Sequence, residues 1–419
     1  MNYKNLVRAV KSILTICLVA IGSPTSIAQQ NNNTELTMAL DATPVTRATF
    51  NSIINSFERK TGKKVKVIKY NTNTDFNTFM AELENTKDTP DLIYDHGSLR
   101  FKSRIEKHLV EDVSKLWLDN GLTELFTPEI AKRVKVGEAY YGIPYSIHTW
   151  GFFYKQELID KVGPIPEDWD AFVSYCLKLK ELGYSVFTTS DKQPYVAAAW
   201  FEYIILRMYG LELFEQILNG EVSFQDERIQ NAFIKWKQLI DLDLYDSELS
   251  ALRWEQQQIY FLRNKIALFF IMTPSIKRII DQKVRQNIHF AAFPKINAAL
   301  PRYESVPSNI LFISSRSKNK ALAKEFLLYL AQADTQSLIS EYSGASPANI
   351  HSKVGSEPVT QKSHQIISSA AGFSPFFDRG AHPDFEKVAV TLFSDFIHDP
   401  DVKKLTSGLE SARPNYYSN

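Results

Sequence analysis

Between Leu36 and Tyr94 the hydrophobic spacing changes character four times. Leu36 to Leu40 reads as a strand, and a loop follows through Asp41 and Pro44. Phe50, Ile53, Ile54 and Phe57 then recur at helical spacing up to Gly62, a fitting helix stop. Val65 to Tyr70 alternates like a second strand, Phe76 to Leu83 reads as a helix, and Asp91 to Tyr94 is a short apolar strand after Pro90. A β-α-β-α-β run of this kind specifies a mostly parallel sheet with helices on its faces, because parallel neighbours need a crossover between them. Such sheets bind ligands beyond the carboxyl ends of their strands. The loops to watch are therefore Asp41 to Thr43 and Asp95 to Ser98, with Asp41, Asp95, His96 and Ser98 as candidate contacts. Asp41 fits a turn or helix cap equally well.

From Tyr145 the pattern begins again with different elements. Strands are predicted at Thr149 to Tyr154, Val186 to Thr189, Ile266 to Met272, Ile288 to Phe293 and Ile310 to Ile313. Helices are predicted over Trp169 to Leu182 (closed by Gly183), Ala197 to Tyr209, Ile229 to Leu242 and Ala321 to Leu330. The polar end, Asn415 to Asn419, is expected to fray. No repeat or low-complexity tract interrupts the chain.

At the N-terminus Lys4, Arg8 and Lys11 precede an apolar stretch from Ser12 to Gly22, and Ser26-Ile27-Ala28 offers small residues where a signal peptidase reads them. That order predicts a cleaved secretory signal over 1–28 and a mature chain starting at Gln29. The apolar run is shorter than the ~20 residues of a spanning helix. No Cys stands at the cleavage point, so a soluble mature protein without a lipid anchor is expected. The remaining chain of about 390 residues exceeds what one core usually serves, which predicts two domains. Losing three cations leaves 45 Lys and Arg against 47 Asp and Glu, or −2, and nothing points to nucleic acid or an anionic membrane as partner. The mature chain keeps one cysteine, Cys176, on the apolar side of a helical pattern, so no internal disulfide forms and a buried role is expected. The eight His are scattered, and no metal or other cofactor is expected. There is no Gly-x-Ser-x-Gly, His-Glu-x-x-His, Walker or Gly-x-Gly-x-x-Gly motif, so the chain is expected not to be an enzyme.

Four segments then carry a resemblance. They are Phe57-Glu58-Arg59-Lys60-Thr61-Gly62-Lys63-Lys64-Val65; Thr89-Pro90-Asp91-Leu92-Ile93; the stretch Tyr141-Gly142-Ile143-Pro144-Tyr145 with Gly151-Phe152-Phe153-Tyr154-Lys155 and Pro166-Glu167-Asp168-Trp169; and Ser317-Lys318-Asn319-Lys320-Ala321-Leu322-Ala323-Lys324-Glu325-Phe326-Leu327. Together, and in this order, they resemble the bacterial extracellular solute-binding proteins that serve sugar importers, the group typified by maltose-binding protein. The resemblance implies an α/β fold of the periplasmic binding protein-like type II class, with two lobes, hinge crossings and a central ligand cleft. Residues 35–143 and 294–342 would form lobe 1, and residues 144–293 and 343–419 lobe 2. Pro144 would stand where one extended segment passes between them.

The same resemblance implies a monomeric protein of the Gram-negative periplasm that captures a carbohydrate and delivers it to the permease subunits of an ABC transporter. It places His148 and Trp150 in the cleft, and it aligns Gln193-Pro194-Tyr195 with a segment whose aromatic stacks on sugar. Tyr195 is thereby the foremost single candidate. Trp200 is either a second platform or a core residue of its helix, with packing favoured. Departures from the family pattern reshape the cleft. Met272-Thr273-Pro274-Ser275 stands where a ligand-stacking Trp is common, which makes Thr273 a candidate. Phe385 replaces another Trp, helped by Phe373, Phe376 and Phe377, and Gly344 in Ser343-Gly344-Ala345-Ser346-Pro347 would lend backbone contacts or act as a plain hinge. Two alternatives keep this fold: a receptor that reports to a membrane sensor, and one that binds a non-sugar solute.

Overall fold

In a computed structural model, which describes residues 35–417, the first three predicted strands lie side by side. The expected signal segment, the arm at 29–34 and the last two residues lie outside the described residues. Glu35–Ala39 pairs in parallel with Lys64–Ile68 on one side and Leu92–His96 on the other. The helix Pro44–Thr61 forms the first crossover. Thr43 caps it by accepting from the Thr46 N–H, Pro44 fixes its first turn, and Gly62 closes it at φ +73°. Its buried side is Phe50, Ile53, Ile54 and Phe57, the set read from the spacing.

The sheet is mixed, because chain from much later completes it. Ser308–Ile313 joins Leu92–His96 antiparallel, Ile143–Ile147 follows antiparallel, and the two residues Ser346–Pro347 form the edge. One buried carboxylate ties early to late chain. Asp91 accepts from the Thr37 N–H and hydroxyl (both 2.9 Å), the Ser317 hydroxyl (2.6 Å) and the Asn319 amide (3.2 Å). Burial raises its pKa, but these donors outweigh burial and hold it below the usual carboxylate range. Asp91 thus joins two of the four family-like segments physically.

A second, separate core forms around the antiparallel sheet of Phe269–Met272, Trp150–Lys155 and Ile288–Ala291. It is densely aromatic. Trp200 has no exposed surface and packs against Phe152, Phe187, Tyr245, Phe270 and Phe293 with ring centroids 4.8–5.8 Å apart. Gly151 has to be glycine, since a Cβ there would lie 2.6 Å from the Ala291 carbonyl oxygen. Cys176 is fully buried in the same core.

Three stretches link the cores. Ile143–Ile147 runs in the first sheet and continues through His148 and Thr149 into Trp150–Lys155 of the second. Residues 144–147, assigned above to the second lobe, therefore lie in the first sheet. The chain returns through Tyr303–Ser305, which pairs in parallel with Gly372–Ser374, into Val306 of the first core. It leaves again after Ser346–Pro347 and Ala348, which also belong with the first sheet and core.

Two expectations of secondary structure need correction. Residues 186–189 are not a strand: Phe187 makes only an isolated bridge to Tyr245, while Thr188 and Thr189 bond the side chains of Gln257 and Ser250. The end of the chain is not frayed at Tyr416 and Tyr417. The Tyr417 hydroxyl accepts from the His382 N–H, and Tyr416 stacks on the His382 ring at 5.6 Å. Among the described residues no helix is long and apolar enough to cross a membrane.

A buried ion pair stands at the second crossing. Arg207, on the almost wholly buried helix Tyr195–Met208, meets Glu304 at 2.6 Å, and the Tyr203 hydroxyl donates to the same carboxylate at 3.0 Å. Both side chains are at most 3 % exposed. Glu304→Ala strands a buried guanidinium, so denaturant unfolding is expected to show a loss of ~3–5 kcal/mol. A change below ~1 kcal/mol would show that solvent reaches Arg207.

Candidate functional site

Between the two cores lies a cavity of about 680 Å³. Its first wall is built from strand ends. Asp41 follows the first strand, and its carboxylate accepts from the Thr43 N–H (3.1 Å) and hydroxyl (3.0 Å). It is thus both a turn residue and a cavity residue, and burial raises its pKa despite those bonds. Asp95 and His96 stand at the carboxyl end of Leu92–His96. Asp95 pairs with Arg104 at 2.7 Å, yet its pKa is raised because burial outweighs the arginine. The His96 ring lies 3.2 Å from the Tyr94 hydroxyl, and burial followed by the field of Arg379 keeps it neutral. Ser98, buried, precedes the helix Leu99–Glu106, which presents Arg100 and Arg104.

The floor is the crossing strand. His148 is 3 % exposed, and neither ring nitrogen has a hydrogen-bond partner. Burial, then Arg379, pushes its pKa down to about 3, so the ring is neutral at ordinary pH. The Trp150 indole N–H is likewise unpartnered. Buried polar groups are normally paired, so two unpaired rings on adjoining lining residues of one cavity are unusual.

The second wall is aromatic. The Trp254 indole N–H donates to the Tyr195 hydroxyl at 2.9 Å, and Arg278 lies over the Trp254 ring 4.6 Å from its centroid. Gln193 accepts from the Trp254 backbone N–H at 2.9 Å, so it anchors the backbone that carries that indole. Burial drives the Tyr195 hydroxyl up to about 12, leaving it a neutral donor and acceptor. Phe376 closes the wall, with ring centroids 5.6 Å from Trp150 and 5.5 Å from His148.

Eight of the twelve sequence candidates line this cavity: Asp41, Asp95, His96, Ser98, His148, Trp150, Gln193 and Tyr195. The other four do not. Trp200 is the centre of the second core. Thr273 is fully buried behind Met272, Pro274 and Ser275, which do face the cavity. Gly344 is the left-handed cap of the helix Ala333–Ser343, where a Cβ would meet Ile276 at 2.8 Å. Phe385 packs on Phe224 and Tyr417, and its neighbour Glu386 faces the cavity instead.

Sequence reading missed Arg100, Trp254, Arg278 and Arg379. A lone Trp254 in the polar run Arg253-Trp254-Glu255-Gln256 was a usable signal; the arginines had none, because their positions depend on segments far apart in the chain. Arg100 reaches from the first wall to the second, donating to the Asp378 carbonyl and the Glu386 carboxylate, each at 3.1 Å. Among the described residues no group of three or more His, Cys, Asp or Glu could hold a metal ion.

Residues 42–337 match the family described as bacterial extracellular solute-binding protein. The chain belongs to this family. An ABC transporter extracellular-binding protein of Pyrococcus horikoshii is 20% identical over 334 residues, 77% of this chain and 74% of that one. Among solved structures, the bacterial solute receptor AcbH, with its substrate preference for β-D-galactopyranose, superposes with a TM-score of 0.84 at 19% identity. The match covers 91% of this solute-binding protein and 98% of that chain. The RafE binding protein in complex with raffinose gives 0.77 at 16%, covering 92% and 100%. At such identities the likeness is one of fold. The family and these neighbours are binding proteins rather than enzymes.

One residue of this solute-binding protein holds the aromatic wall from behind. Glu202, 2 % exposed, accepts from the Phe377 N–H (2.7 Å) and the Ser305 hydroxyl (2.8 Å), fixing the segment that carries Phe376 and Arg379. Burial pushes its pKa up to about 8. A folded pKa above the unfolded one contributes stability that is complete below about pH 4.5 and fades as the pH rises through about 8. Glu202→Gln keeps the shape without the titration. Relative to that variant, the parent protein is expected to lose up to ~1.4 kcal/mol of unfolding free energy per pH unit across this window. Parallel pH profiles would refute this assignment.

Proposed function

We propose that this protein is the carbohydrate receptor of an ABC importer, working in the periplasm after removal of its signal segment. The carrying observation is the cavity itself, whose lining combines the rings of Trp150, Tyr195, Trp254 and Phe376 with polar and charged side chains such as His148, Gln193 and Arg379. A sugar ring has the matching chemistry, with C–H faces above and below and hydroxyls around its edge. A volume of about 680 Å³ falls within the range of pre-formed small-molecule sites and suits a mono- or short oligosaccharide. The galactopyranose and raffinose named for the structural neighbours support the same class.

The two cores act in this reading as lobes that swing about the three linking stretches, and the Arg100 bonds to Asp378 and Glu386 belong to the closed arrangement. The protein binds without chemistry in this reading, and Asp95, Glu255 and Glu386 are each anchored by an arginine within 4 Å.

Ligand that binds only the native state raises apparent stability, so a mono- and oligosaccharide library read by thermal shift is the direct test. A sugar hit is expected, and Tyr195→Ala or Trp254→Ala is expected to weaken it at least about tenfold, ~1.4 kcal/mol, in calorimetry. A library without a single stabilising sugar would sink the reading.

A further inference from the structure

Among the residues that line the cleft, the buried polar atoms without a partner are mostly hydrogen donors. The Arg379 Nη1, the Arg100 Nε, the Trp150 Nε1 and one N–H of His148 are buried donors without an acceptor, against one bare His148 nitrogen and the Glu255 Oε2. A neutral sugar brings hydroxyls that both give and take, and a wall made for it would leave acceptors and donors open in similar number. This one asks for a ligand rich in acceptors.

Charge points the same way. Six cations line the cavity (Arg100, Arg104, Lys192, Arg253, Arg278 and Arg379) against five carboxylates. Arg104 and Arg100 are matched by Asp95 and Glu386 at 2.7 and 3.1 Å. Arg379 is not: it lies 5.5 Å from the Phe376 ring centroid, and among the described residues the one carboxylate within 4 Å is Asp378, 3.8 Å away and beyond hydrogen-bond reach. Arg379 lines the same cavity as Asp41, Asp95, His96, His148 and Tyr195, and its field acts on each of them. Burial also pushes Glu386 up to about 7 and raises Asp41, so the negative side of the balance is weaker than its formal count.

Resting on the carbohydrate reading, we propose that the ligand is an acidic sugar, a uronate whose carboxylate pairs with Arg379 beside His148 while its ring lies against the aromatic wall. A planar guanidinium and a carboxylate match in geometry as well as charge, which a single hydroxyl does not. His148, neutral and unpaired, supplies one further donor to the same group.

The test is calorimetry on the full mature chain with D-galacturonate, D-glucuronate and their short oligomers, each beside its methyl ester and its neutral parent sugar. The ester keeps the size and removes the charge. At least one acid is expected to bind about tenfold or more tighter than both of its controls, and this ratio should shrink toward one in Arg379→Gln and as salt is raised. The ratio measured on the unaltered protein decides the matter even where the variant folds poorly. Esters or neutral parents that bind as well as the acids would overturn the acidic ligand and leave the sugar reading standing. Tighter binding of the corresponding sugar phosphates would also overturn it. Binding of no saccharide, charged or neutral, would overturn both.

Discussion

The cleft exists because the chain buries its apolar side chains in two cores and not in one. The first gathers Leu36, Phe50, Ile93, Leu311 and Phe326 around a mixed sheet, and the second gathers Phe152, Trp200, Phe270 and Phe293 around a smaller antiparallel one. A single core of this size would have to enclose the strand ends that now face water and ligand. The linking stretches are short, and the principal one, from Ile147 to Trp150, places an unpaired histidine and an unpaired indole on the cavity floor. The principal link between the cores and the cavity floor are the same few residues.

Buried acids tie distant segments together in and between the two cores. Asp91 is kept ionised by donors from early and late chain beside it, whereas Glu202, with two donors and, among the described residues, no cation within ion-pair reach, is held protonated near neutrality. The contrast follows from the number and charge of the partners, since burial presses on both. Glu304 is the third case, matched by Arg207 at the second crossing. Each of these acids joins segments distant in sequence: Thr37 with Ser317, Ser305 with Phe377, and Arg207 with Tyr303 and Glu304.

Much of the first sheet was legible before any coordinates, because its opening elements are local: Pro44–Thr61 has its cap, its buried face and its stop within one stretch of chain. The loops at Asp41 and Asp95 were legible for the same reason. Residues 186–189 misled because a run of β-branched and aromatic residues has strand propensity, while its backbone meets only isolated partners. Trp200 and Phe385 show a different limit. An aromatic side chain looks alike in sequence whether it faces a ligand or a core, and only the helix it rides on, with its neighbours on every side, decides which.

By itself, the sequence determined the alternation of elements, the caps and turns that start and stop them, the solute-binding family and one wall of the cleft, all set by residues near one another in the chain. The tertiary structure alone decided that Arg100 would reach Glu386, that Trp254 would lean on Tyr195, and that Arg379 would stand unmatched among two histidines and two aspartates. The first two contacts span 286 and 59 residues of sequence. Spacing cannot encode them, because they arise only when two independent cores are set face to face.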